Sequence, residues 1–362
     1  LNTLHLHLTH LDHNYKIIRD QIHDSTQCIG VIKANAYGGD AIYFAKRLEL
    51  LGIDKLAVAY TEEGIQLRKQ GIKTPIMVFY PQMDSLRTLI AADLEPCLYS
   101  KKLLKSFKDH LDKMGIEQYP IHIKYNTGLN RVGFPLDHIQ WVLEKTQLSQ
   151  FKLESVYSHL AASEEERPSK QCSLQISHFE KIRKKHIETS RTLPKFHLLN
   201  SSGIFNYPEF QYDIVRCGIA FHGFANTLEW DNLLKPVAVL KSKISQLHQV
   251  EEGASVGYDN GWIAPEAVTI ATLPIGHADG IGRHFGHSRT SVSIHQQEAP
   301  IVGNICMDML MVNVTGINCK EGDEVTFFGL NKSANSVAES GNTISYELLA
   351  GIGPRVKRIV HS

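Results

Sequence analysis

Eight short runs of aliphatic, β-branched and aromatic residues recur along the earlier part of the chain, each followed by a stretch with helical apolar spacing. They are Cys28–Ala34, Lys55–Tyr60, Pro75–Tyr80, Glu95–Tyr99, Pro120–Tyr125, Leu153–Ser158, Lys195–Leu199 and Asp213–Cys217. Strand-then-helix units demand parallel strands, because the helix carries the chain back to the starting edge. Eight is also the number that closes into a (β/α)8 barrel. A doubly wound open sheet is the alternative, but it gives no reason for eight. The helix signals fit: Thr61 is expected to N-cap, Glu62 and Glu63 suit the positive end of the helix dipole, and Gly71 stops the helix after Arg68.

After about Ala225 the character changes. Alternating runs at Pro236–Val250, Ala267–Gly276, Ser291–His295, Pro300–Val314 and Asp323–Gly329 are separated by turn residues. They predict a mostly antiparallel β domain with one late helix near Ile344–Ala350. The opening Leu4/Leu6/Leu8 alternation is strand-like, lies outside the barrel runs, and is expected to pair with this later sheet. The expected organisation is therefore a barrel over 9–230 and a β domain over 231–362 that also takes strand 1–8. Two domains agree with a length of 362 residues.

Charge excludes some functions. Lys plus Arg equals Asp plus Glu at 38 each, so the chain lacks the broad positive field of a non-specific nucleic-acid binder. No apolar run reaches membrane-span length, and residues from Leu1 on carry no basic region before an apolar one, so no membrane partner is expected. The six cysteines show no C-x-x-C pair and are expected to be reduced thiols of a cytoplasmic protein. His5, His7, His10 and His13 lack a supporting Cys or carboxylate spacing, so no metal site is expected. His284 and His287 are read as a surface turn.

In a (β/α)8 barrel, chemistry sits where the strands' C-terminal ends converge. Polar residues fall at those ends: Lys33 after Ile29–Ile32, Lys124 after Ile121–Ile123, His159 after Val156–Ser158, Asn200 and Ser201 after His197–Leu199, and Arg216 after Ile214–Val215. Lys33 is flanked by Ile32 and Ala34; partial desolvation would lower its pKa and suit it to Schiff-base chemistry. Ser201 and the Gly218-Ile219 backbone follow the seventh and eighth runs, where such barrels commonly hold a phosphate. An amine beside a phosphate cradle suggests pyridoxal phosphate, which spacing alone leaves open.

Val31-Ile32-Lys33-Ala34-Asn35-Ala36-Tyr37-Gly38 closely resembles the cofactor-lysine motif of alanine racemases, fold-type III pyridoxal phosphate enzymes. Further segments resemble the family's motifs in order: 122–134 around Lys124 and Arg131, 197–203 around Asn200 and Ser201, 215–220 around Arg216, 253–258 ending at Tyr258, 274–280 around His277, 303–308 around Met307 and Asp308, 343–347 around Tyr346, and Arg355 with Arg358. Departures are Gly39-Asp40 for His-Gly, Asn126 for aspartate, Cys217 for proline, and His222 and His277 for tyrosines.

The resemblance implies interconversion of L-alanine and D-alanine, supplying D-alanine for peptidoglycan, with pyridoxal 5'-phosphate as cofactor. It implies that Lys33 and Tyr258 are catalytic bases on opposite faces. Lys33, Tyr37, His159, Asn200, Ser201, Arg216, Gly218, Ile219 and Tyr346 would bind the cofactor, with Arg216 at the pyridine nitrogen. Arg131 and Met307 would bind substrate, supported by Lys124 (carbamylated in relatives), Asp308 and His277, the last lining the entry. It further implies a homodimer whose sites are shared between chains. A broad-specificity amino-acid racemase and a non-catalytic pyridoxal phosphate-binding barrel are the competing functions; the β domain carrying Tyr258 argues against the latter, and Arg216 against a decarboxylase.

Overall fold

After β1 (Thr3–His7), eight parallel strands follow, with helices between them: β2 (Gln27–Val31), β3 (Lys55–Val58), β4 (Ile76–Val78), β5 (Glu95–Leu98), β6 (Tyr119–Lys124), β7 (Phe151–Tyr157), β8 (Lys195–His197) and β9 (Ile214–Cys217). The computed structural model describes residues 2–225 and 227–362. Neighbouring strands pair in the order β8-β7-β6-β5-β4-β3-β2-β9. The ring closes between its end strands through Asp213 N–H to Phe196 O at 3.1 Å and Arg216 N–H to Leu199 O at 3.1 Å. These strands are buried almost throughout, since the helices cover their outer faces.

The helices follow from local sequence. Over Lys101–Met114, Ser100 Oγ accepts from Leu103 N–H at 3.2 Å, Leu103, Leu104, Phe107 and Leu111 form the buried stripe, and Gly115 ends the helix at φ 64°. The helix Thr61–Lys69 starts differently from expectation. Thr61 lies inside it and bonds Ser85 Oγ at 2.9 Å, so Thr61 is not the cap. Glu63 takes over the helix entrance, with Oε2 accepting from Ala59 N–H at 2.7 Å and Tyr60 N–H at 3.1 Å.

The second unit adds β10 (Ala238–Lys243), β11 (Gln246–Val250), β12 (Ser255–Val256), β13 (Trp262–Ile263), β14 (Val268–Leu273), β15 (Ser291–Ile294), β16 (Gln297–Val302), β17 (Leu310–Asn313), β18 (Glu324–Phe328) and β19 (Lys357–His361). A mostly antiparallel sheet runs β11-β14-β17-β16-β15-β18-β10-β1-β19. Strand β1 lies between β10, antiparallel to it, and β19, parallel to it. Beside the late helix, observed at Ser345–Ala350, stands a second at Ala334–Ser340 that the alternation hid. Ser333 caps it, its Oγ accepting from Ser336 N–H at 3.1 Å.

The two compact units are Asp12–Ala34 with Ala41–Leu234, and Leu1–Leu11 with Asn35–Asp40 and Lys235–Ser362. The stretch Asn35–Asp40 therefore groups with the β unit and not with the barrel expected over 9–230. The cause is close backbone packing. A side chain at Gly38 (φ 79°) would meet Leu349 O at 2.0 Å, and Arg358 Nη2 donates to Gly38 O at 2.7 Å.

Candidate active site

Strand β2 ends at Val31, earlier than the apolar run predicts, and the next turn is left-handed. Ala34, Asn35, Ala36 and Tyr37 all have φ of 50–53°, a conformation that costs roughly 1–2 kcal/mol per residue for side chains with a Cβ. Such strain persists only where surroundings over-determine it. Glu63 Oε1 accepts from Ala34 N–H at 2.6 Å, tying the start of this turn to the entrance of the next helix. Lys33 opens the turn, half-buried. Burial lowers its pKa, the charge of Arg131 lowers it further, and Glu63 opposes the shift.

Lys124, at the end of β6, is buried, with its Nζ 5.9 Å from the Tyr80 ring centroid and 5.8 Å from that of Tyr157. Burial first, then the charges of Arg131 and Arg216, bring its pKa down to about 8. Arg216 on β9 is buried, and its two terminal nitrogens are held by hydrogen bonds. Its Nη1 donates to His197 Nδ1 at 2.7 Å, and Nη2 to Ser158 O and Leu198 O at 2.9 Å and His159 Nδ1 at 3.2 Å. Burial and the Arg216 charge hold His159 well below the usual histidine range, so its ring is neutral. The barrel unit thus brings Lys33, Lys124, Arg131 and Arg216 within electrostatic range of His159.

The neighbouring rim is made of backbone. Asn200 Oδ1 accepts from Gly203 N–H at 2.9 Å and Ser163 Oγ–H at 2.8 Å, which makes Asn200 the cap of the helix Ser201–Asn206. Ser201 Oγ accepts from Gly218 N–H at 3.0 Å and Ala220 N–H at 3.3 Å, holding the turn around Ile219 against the helix start.

The remaining candidates lie in the β unit. Tyr258 follows Gly257 (φ 77°) and is 70% exposed; Met307 is 58% exposed. Asn304 connects their loops, its Nδ2 donating to Tyr258 O at 3.0 Å while Arg283 Nη2 donates to its Oδ1 at 2.8 Å. Arg355 fastens the Met307 loop from another side. It pairs with buried Asp279 at 2.7 Å and with Asp308 at 2.7 Å, and donates to Met307 O at 3.3 Å. His277 N–H donates to Cys306 O at 3.0 Å, where a side chain at Gly276 would meet Cys306 O at 2.3 Å. The rings of Tyr37 and Tyr346 are 5.9 Å apart.

Glu63, Asn304 and Arg355 shape these loops, yet the sequence gives them no role beyond a helix start or a place in a motif. Their signal is geometric, since each bonds backbone groups far away in the chain. His5 Nδ1 and His361 Nε2 are 2.8 Å apart with His7 stacked on His361, but no metal-holding group of His, Cys, Asp or Glu occurs among the described residues. No helix among them is long and apolar enough to cross a membrane.

The family model for the alanine racemase N-terminal domain matches residues 6–226, and that for the C-terminal domain residues 237–360. An alanine racemase of Carboxydothermus hydrogenoformans is 33% identical, the match covering 98% of each chain. One of Clostridium kluyveri is 35% identical over 98% of this chain and 92% of its own. Among solved structures, alanine racemase of Clostridium difficile 630 superposes with a TM-score of 0.92 at 32% identity, covering 99% of this chain and 95% of that one. That of Bartonella henselae, described with covalently bound pyridoxal phosphate, gives 0.90 at 27% identity, with 99% of each chain covered. With both domain models matched in order and relatives aligned from end to end, this chain belongs to the alanine racemase family.

Proposed function

We propose that the protein interconverts L-alanine and D-alanine with pyridoxal 5'-phosphate held on Lys33. The observation that carries the reading is the donor set of the barrel rim: an amine of lowered pKa and a buried arginine whose terminal nitrogens are fixed by hydrogen bonds. That set fits the cofactor. Lys33 would take its aldehyde, Arg216 would face the pyridine nitrogen, and His159 would lie against the ring. Ser201, Gly218, Ile219, Tyr37 and Tyr346 would hold the phosphate, with Asn200 ordering the Ser201 helix start.

When bound, the cofactor supplies an electron sink that makes the Cα proton of an amino acid removable by a side chain. Lys33 Nζ is suited to take that proton because its lowered pKa leaves more of it neutral near pH 7. Inversion also requires a proton on the other face, which one base cannot deliver, and Tyr258 is assigned there. Guanidinium donates and does not give up its proton, so Arg216 would hydrogen-bond the ring nitrogen without protonating it. The resulting weaker electron sink favours reprotonation over side reactions. Arg131 and the Met307 N–H would grip the substrate carboxylate, with Asp308 and Arg355 fixing the Met307 loop and His277 lining the entry. A cytoplasmic enzyme supplying D-alanine for peptidoglycan is the role that follows.

Tyr258 and Met307 are large side chains left open to solvent, and Met309 and Ile263 of the same unit are exposed as well. Such a surface supports a homodimer in which one chain's β unit completes the partner's site. The defining test is L-alanine with the cofactor-loaded protein, followed by chiral chromatography. Equal amounts of both enantiomers are expected at equilibrium. No D-alanine would sink the reading, and faster turnover of serine or basic amino acids would move it to a broad-specificity racemase.

Lys124 gives a separate prediction. At a pKa of about 8, about one lysine in ten is neutral at pH 7, and only the neutral amine adds CO2 to give a carbamate and a proton. Carbamylation therefore rises as pH rises through about 8, replacing a cation beside Arg131 with an anion that orients it. In CO2-free buffer kcat is expected to fall about tenfold and to recover with bicarbonate. An unchanged rate, with no CO2 adduct on Lys124 by mass spectrometry, would count against the carbamate.

A further inference from the structure

Inside the barrel a polar chain runs strand by strand from Arg216 to Glu95. Arg216 Nη1 meets His197 Nδ1 at 2.7 Å; His197 Nε2 meets Ser155 Oγ at 2.8 Å; Ser155 Oγ meets His122 Nδ1 at 2.6 Å; His122 Nε2 meets Glu95 Oε2 at 2.7 Å. Lys55 from β3 caps the far end by donating to the same Glu95 oxygen. The members sit on β9, β8, β7, β6 and β5, which are consecutive neighbours in the ring. The β6–β7 ladder shifts register between Ile121 and His122, so that His122 stands opposite Ser155. His122, Ser155 and His197 are at most 1% exposed, and the Tyr157 ring stacks on His197 at 4.7 Å and 8°.

Every proton in this chain has one possible place. Arg216 can only donate, so His197 Nδ1 accepts and its proton is on Nε2. At the other end the Glu95 carboxylate can only accept, so neutral His122 keeps Nδ1 bare and takes the Ser155 hydrogen there, while Ser155 accepts from His197 Nε2–H. His122 then carries its proton on Nε2, facing a carboxylate that can only accept. Burial pushes both histidines below their usual range, which agrees with neutral rings. Glu95 is held at about 2: burial would raise it, but the hydrogen bonds from His122 and Lys55 and the charge of Lys55 outweigh that.

We propose that Glu95, acting through His122 and Ser155, sets the direction of this relay and so keeps His197 an acceptor for Arg216. Glu95, His122 and Ser155 are then positioning residues for the guanidinium, an effect on turnover that rests on the proposed function. Without an acceptor at position 95 the relay can reverse: His122 donates from Nδ1 to Ser155, Ser155 donates to His197 Nε2, and His197 presents an N–H to the Arg216 N–H. The guanidinium must then move. A buried chain of this kind gains strength from cooperative polarisation when every member is satisfied, and loses most when one end fails.

The test combines tautomers with kinetics on the full chain. In protein labelled with [15N]histidine, and with resonances assigned by His122→Gln and His197→Gln, both rings should carry the proton on Nε2 and leave Nδ1 bare. Glu95→Met should give His122 an Nδ1 proton and lower kcat about tenfold while KM for L-alanine changes less than about threefold. Glu95→Gln keeps an oxygen for both donors and should retain the tautomers and most of kcat. An Nδ1 proton on either ring in the unaltered protein overturns the proposal, as does a Glu95→Met enzyme within about twofold of full kcat. If Glu95→Met does not fold, Ser155→Ala breaks the same relay, with Ser155→Thr as rescue. Full kcat in Ser155→Ala would equally overturn it. If the unaltered protein does not racemise alanine, the functional reading falls while the tautomers still judge the relay.

Discussion

Replacing Lys33 by alanine is expected to remove covalently held cofactor and to lower racemisation at least about 10⁴-fold, since anchor and base are lost together. Lys33→Arg should be as inactive, because guanidinium keeps a charge there but forms no Schiff base. The fold should survive. Lys33 is a partly buried cation under the field of Arg131, so removing it relieves like-charge repulsion, and Tm should stay at or above that of the unaltered protein. Lys124 is the amine best able to replace it, being buried nearby with a pKa of about 8. Borohydride trapping followed by peptide mapping distinguishes the two. Cofactor trapped on Lys124 in Lys33→Ala, with near-normal racemisation, would transfer the assignment.

The barrel strands were legible because strands buried on both faces must be aliphatic throughout, and no surface demand interrupts the runs. Their C-terminal ends were overdrawn for the same reason. Ile32, Phe79, Tyr80, Leu198 and Leu199 continue the apolar runs after the strands have ended, so composition does not mark where the rim begins. The turn at Ala34–Tyr37 was hidden more deeply. Left-handed backbone is ordinarily announced by glycine, and here only Gly38 at its end provides that signal; the rest is imposed by bonds such as Glu63 to Ala34. Glu63 itself was visible as a helix-start acid, but its reach to another loop was not.

The rim residues Lys33, Lys124, His159 and Arg216 could be placed near one another because parallel strands end on one side. The relay could not be seen this way. His122 and Ser155 look like the polar members of an alternating strand, and Glu95 looks like a strand's solvent-facing start. Only the closure of the sheet and the register shift at His122 turn those side chains into one connected line. In the β unit, Tyr258 and Met307 are recognisable from motifs, but their exposure is a property of the folded chain.

That exposure leads to the second large effect. Lys33→Ala and Tyr258→Ala chains should each be inactive as homodimers, yet together regain activity if Tyr258 serves the partner's barrel. In a mixed dimer one site collects both defects and the other has an intact Lys33 and an intact Tyr258. Co-expression at equal levels gives mixed dimers about half the time, each with one sound site of its two, so about a quarter of full activity is expected from the pairing symmetry. The physical motive is that a tyrosine left 70% exposed by its own chain cannot meet a desolvated substrate until something covers it. In the proposed dimer a twofold-related copy would supply that cover. Mixed dimers can be isolated with two different affinity tags and their composition checked by native mass spectrometry. Sites built within single chains would leave every site with one defect, so verified mixed dimers no more active than their parents would refute the shared site.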